Sequence, residues 1–146
     1  MPALQSLWFA PHVIVYMFAY AILAVSSIVA IRGIWEMKKE RQIHKVIQLV
    51  DNLVYFGFAF LTLGLVFGAM WAKQAWGSYW TWDPKEIWAL LTWFSYLIYL
   101  HLRFSQPQKI KQHFYIIAIA FLVLLICWFG INYLAVAANS VHTYNN

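Results

Sequence analysis

The chain has 146 residues, of which 64% are hydrophobic, 20% aromatic and 10% charged, with a formal net charge of +5. Soluble domains carry about 25% charged residues, so a globule wetted on all sides is excluded, and residues 1–146 read as a single domain. The lone cysteine, Cys127, excludes an internal disulfide or a thiol pair and is expected to pack as a small hydrophobe.

Four apolar segments approach the ~20 residues that cross a hydrocarbon core about 30 Å thick. The first covers 12–34. No basic residue precedes it and its apolar run is too long for a signal sequence, so it reads as a retained helix. The polar connection "EMKKERQIHKV" follows, and 46–52 suggests an interfacial start to the second helix, 53–72. Gly57, Gly64 and Gly68 fall on one side of that helix, where a neighbouring helix can approach closely.

Next comes "WGSYWTWDPKEIW", residues 76–88, with tryptophans at 76, 80, 82 and 88. Asp83 as N-cap, Pro84 at the first helical position and Glu86 at the third form a capping-box start. The third helix, 86–102, has sixteen residues between Glu86 and Arg103. It is short, so Arg103 is expected to snorkel towards headgroups. Pro107 opposes continuation, and the fourth helix spans 114–138. The expected fold is all-α, an integral membrane bundle of four transmembrane helices.

Eight of the ten basic residues lie at the end of, or after, helices 1 and 3, whereas Lys73 and Lys85 flank the tryptophan loop. The positive-inside rule then places both termini and the tryptophan loop on the non-cytoplasmic side. The basic residues set orientation and touch anionic lipid; loops this short do not suit nucleic acid.

Of five histidines, His44 and His113 sit among the basic residues and are expected to be solvated. Four crossings bring His12, His142 and the tryptophan loop to one surface. Two readings stand there. One is an interfacial aromatic belt with unrelated histidines. The other is a haem site, because aromatic faces cover a flat macrocycle and imidazoles ligate its iron. His101 lies fifteen residues after Glu86, roughly 20 Å down the third helix. It shares a face with Ile87, Leu90, Phe94 and Leu97. It is either a hydrogen-bonded neutral histidine or a functional group within the membrane.

The stretch "WGSYWTWDPKEIWALLTW" resembles the tryptophan-rich signature, or WWD domain, of the cytochrome c assembly proteins. "LTLGLVFGAMWAKQAWG", "YLIYLHLR", "WFAPHVIVYMFAYAIL" and "SVHTY" are similar to its CcsA (ResC) branch. The resemblance implies a haem-handling subunit of a cytochrome c synthase, acting on haem b with a CcsB/ResB-like membrane partner and a CXXCH apocytochrome c. It implies His12 and His142 as external iron ligands, Trp76, Trp80 and Trp82 with Asp83 as the haem cradle, and His101 as the ligand within the membrane. No catalytic acid, base or nucleophile is implied. The setting is a bacterial cytoplasmic or thylakoid-type membrane, with the site outside. The alternatives are a haem exporter or chaperone, and a b-type electron-transfer cytochrome. Only eleven residues precede His12, fewer than in the family, so the chain looks like the haem-handling core alone.

Overall fold

The computed structural model describes residues 5–37 and 43–129. It holds four α-helices: α1 (Phe9–Glu36), α2 (Ile43–Trp76), α3 (Pro84–Ser105) and α4 (Ile110–Trp128). All four are long and apolar enough to cross a membrane. There is no strand among the described residues. The shortest, α4, has 19 residues, about 28 Å at 1.5 Å per residue. The helices begin earlier than hydropathy suggests; for α2, α3 and α4 this is because first turns that carry polar and charged residues belong to them. Residues 46–52 form a continuous part of α2, with Ile47 and Val50 in the core.

In the bundle α1 lies between α2 and α4, α3 packs on α4, and α2 meets α3 at fewer points. The core comprises Leu23, Val54, Leu61, Tyr96, Tyr99, Phe114, Ile117 and Leu124, among others. Outward faces carry Phe18, Ile28, Phe56, Ile98, Ile119 and Leu122 exposed. Such a surface is untenable in water and suits lipid. The α1–α2 contact is close because glycine permits it. A Cβ placed on Gly57 would sit 2.5 Å from Leu23 Cδ2, and one on Gly64 would sit 3.1 Å from the Tyr16 ring. The glycine face expected from spacing is therefore the α1 interface.

The end of the bundle opposite the tryptophan loop corrects two expectations. Arg103 does not snorkel. Its Nε donates to both carboxylate oxygens of Asp51 at 3.1 Å, and Nη1 donates to the Pro107 carbonyl at 2.8 Å. Tyr99 Oη also donates to Asp51, at 2.7 Å. A carboxylate from α2 within reach makes pairing better than extension into headgroups. His113 is not solvated but 1% exposed. Its Nε2 donates to the carbonyl of Gln106, the residue that ends α3, at 2.9 Å. It thus satisfies a carbonyl that the helix terminus leaves without an intrahelical partner. His44 is exposed, as expected.

Candidate functional site

The α2–α3 connection is pinned by local bonds. Gly77 closes α2 at φ 81°, a conformation glycine adopts without strain. Lys73 Nζ donates to the Gly77 carbonyl at 2.9 Å and lies 5.3 Å from the Tyr79 ring centre. Ser78 Oγ donates to the Trp80 carbonyl at 2.9 Å. The expected capping box is present. The Asp83 carboxylate accepts from Lys85 N at 2.9 Å, and Glu86 accepts from Asp83 N at 3.2 Å and Thr81 N at 2.8 Å. Between these clamps Trp82 is held at φ 59°, and the residue is 68% exposed. A bulky side chain in the left-handed region is strained, and the bonds on either side hold it there.

Beneath this loop is a cavity of about 360 Å³. Its walls are His12, Tyr16 and Tyr20 from α1, Leu65 to Ala72 of α2 in part, and Tyr79 and Trp80 from the loop. Lys85, Glu86 and Ala89 of α3 and Cys127 and Trp128 of α4 complete it. All four helices therefore contribute at one end of the bundle. Cys127 lines the cavity and is buried, as expected of a cysteine packed as a small hydrophobe.

His12 is held in this wall by contacts from both α1 and α2. Its Nδ1 lies 2.9 Å from the Gly64 carbonyl. A carbonyl only accepts, so Nδ1 carries the proton and Nε2 the lone pair. That is the tautomer a metal-ligating imidazole needs, with its second nitrogen oriented by a backbone oxygen. Tyr16 meets the ring edge-on at 4.8 Å, and Trp71 stacks on it at 5.5 Å and 28°. A Cβ on Gly68 would come within 2.8 Å of the ring. Helix propensity alone favours Gly68→Ala by about 0.5–1 kcal/mol. The clash opposes it by about 1–3 kcal/mol, so the variant is expected to unfold at lower temperature in detergent. A higher melting temperature would mean the imidazole does not occupy this place.

The residues singled out from sequence divide as follows. His12 and Trp80 line the cavity. Trp76 stands behind, 4.8 Å from Trp71 and steeply inclined to it. Trp82 meets Trp80 edge-on at 5.9 Å. Asp83 is buried as the cap of α3. His101 is far along α3, exposed on the face shared with Ile87 and Phe94 and away from buried Thr92, Tyr96 and Tyr99. His142 lies outside the described residues. Trp71 and Tyr16 escaped sequence reasoning. Their signal was available: Tyr16 is one turn after His12, and Trp71 follows the glycine face of α2 by three residues.

A bare metal ion is a poor fit, since no group of three His, Cys, Asp or Glu side chains converges among the described residues. One oriented imidazole within aromatic walls fits a metal already held in a flat macrocycle. The sequence profile of the family described as cytochrome C assembly protein matches residues 1–137. The chain belongs to the cytochrome c assembly protein family. Its relatives include the cytochrome c biogenesis protein CcsA of Chlamydomonas reinhardtii, 41% identical over 152 residues, covering 99% of this chain and 43% of that protein. The CcsA of Guillardia theta is 35% identical over 170 residues, covering 98% and 56%. That of Prochlorococcus marinus strain SARG is 33% identical over 174 residues, covering 95% and 55%. This assembly-family chain spans about half the length of these relatives.

Proposed function

We propose that this chain is the haem-handling subunit of a cytochrome c synthase of the CcsB/CcsA type. It moves haem b to the tryptophan loop, on the outer side of the membrane, and presents it to CXXCH apocytochromes. The observation that carries this reading is His12 in an aromatic cavity, its proton held on Nδ1 by the Gly64 carbonyl. His142 would supply the second axial imidazole. Trp80 would cover the macrocycle directly, with Trp76 backing the wall behind Trp71 and Trp82 packed edge-on against Trp80, and Asp83 holds the start of α3 in place. His101 faces outward from the bundle, so its second ligand would come from another chain, a CcsB/ResB-like membrane protein. The sidedness rests on the basic residues gathered at the opposite end.

The cargo and the client supply the reaction: each apocytochrome thiol adds S–H across a haem vinyl C=C, giving a thioether with no atom lost. The residues of this chain bind, orient and exclude water. The test is co-expression with a CcsB-like partner and a CXXCH client, followed by haem staining of the denatured client. Covalent haem on the client is expected. Haem carried but never attached would replace this reading with an exporter or chaperone. Haem retained at two sites regardless of client would indicate a b-type electron carrier.

A further inference from the structure

One face of α2 is shaped around the His12 ring. Gly64, Gly68 and Trp71 follow one another at offsets of four and three, so they stand in one row along the helix. Gly64 offers its carbonyl to Nδ1 at 2.9 Å. A carbonyl accepts over a broad range of angles, so this bond selects the tautomer and leaves the tilt of the ring open. Gly68 brings the helix backbone against the ring: a Cβ there would stand 2.8 Å from Cε1 and 2.9 Å from Nδ1 of His12. Trp71 then lays its indole along the imidazole, with ring centres 5.5 Å apart and planes 28° apart. The indole is held in turn. Trp71 is 5% exposed, with the Phe9 ring of α1 at 5.2 Å and 54° and the Trp76 ring at 4.8 Å and 63°.

We propose that Trp71 is the positioning residue of His12: it fixes the plane of the imidazole and, through that plane, the electronic state of the metal the imidazole ligates. This rests on the haem reading above and adds to it the group that sets the orientation of the ligand. A partner on the second nitrogen tunes the basicity of a ligating histidine. The plane of the ring governs a different property, the overlap of its π orbitals with the metal d orbitals. That overlap is well defined only when the ring keeps one angle. A flat face laid against the imidazole imposes one angle. An aliphatic side chain in the same space would leave the ring free to rock about its bond to Gly64.

The experiment uses the purified full chain with its membrane partner, loaded with ferric iron protoporphyrin IX. The proteins are wild type, Trp71→Phe, Trp71→Leu and Phe9→Leu. The measurement is the low-spin electron paramagnetic resonance spectrum, whose g values follow the planes of the axial rings. Wild type is expected to give a single set of g values. Trp71→Leu should keep the two-imidazole absorption bands but lose the single set, with the low-field line broadened or split. Trp71→Phe retains a flat face and should keep the wild-type line. Phe9→Leu leaves Trp71 in place but loosens it, so a smaller broadening is expected; this variant decides where Trp71→Leu does not fold. An unaltered line in the deciding variant overturns the assignment while the haem reading stands. So does equal broadening in Trp71→Leu and Trp71→Phe, which would report lost volume alone. Weaker haem binding with an unaltered line also overturns it, since Trp71 would then be cover for the macrocycle. A wild type without a two-imidazole spectrum removes the haem reading itself, and this assignment with it.

Discussion

His12→Ala is expected to weaken haem binding at the tryptophan loop by at least tenfold and to abolish the low-spin spectrum of a two-imidazole iron. His12 is the one imidazole among the described residues of this wall, so its loss removes the ligand type that gives a two-imidazole spectrum. Alanine also removes the ring that Tyr16 and Trp71 pack against, so a packing loss would confuse the result. His12→Phe separates the two effects, because it keeps an aromatic ring between Tyr16 and Trp71 while deleting both nitrogens. Ligation predicts that both variants lose the spectrum. It also predicts that millimolar imidazole partly restores it in His12→Ala, where space has been opened, and much less in His12→Phe. The Gly64 carbonyl loses a donor in either case, but it lies in the interior of α2, where the helix supplies another. A His12→Phe protein that purifies with the wild-type haem spectrum would remove His12 from the iron.

The sequence was most informative where the determining interactions are local. The helix start at Asp83 could be read because cap, proline and Glu86 lie within four residues, and all their bonds are made inside that span. The glycine face of α2 could be read because helical period alone puts Gly57, Gly64 and Gly68 in line. Hydropathy gave the four crossings, and it also placed His101 on one stripe with Ile87 and Phe94. What it could not give was direction around each helix axis. That stripe faces outward, a fact decided by Thr92, Tyr96 and Tyr99 packing inward on the other side. Long-range partners were equally invisible. Asp51 and Arg103 are 52 positions apart, and nothing in either neighbourhood announces the pair. The same holds for Trp71, whose place against His12 depends on how closely α1 settles onto Gly64 and Gly68.

The second large effect lies at the other end of the bundle. Asp51→Ala is expected to destabilise the protein by about 3 kcal/mol, the lower end of the range for breaking a buried ion pair, since the two side chains keep 14% and 16% of their exposure. The loss arises from what remains. The Arg103 guanidinium would stay largely buried with only the Pro107 carbonyl at hand, and Tyr99 Oη would lose its acceptor. Tyr99→Phe removes one neutral donor and should cost about 1 kcal/mol. The double variant Asp51→Leu, Arg103→Met removes both charges and should recover most of the stability, because no charge is then left alone in an apolar surround. The consequence for haem handling follows from helix geometry. Tyr99 and Arg103 are one turn apart and face α2, whereas His101 lies between them on the opposite side. The ion pair is therefore expected to set how α3 is rotated and which way His101 points, because α2 and α3 touch little along their length. Thermal unfolding in detergent decides the first point, and haem loading, which the role proposed for His101 makes sensitive to that rotation, decides the second. A membrane-end arginine has one escape, which is to extend into headgroups. If Asp51→Ala melts with the wild type, Arg103 takes that escape, and the rotation of α3 must be set by Trp93 donating to Thr62 and by packing against α4 alone.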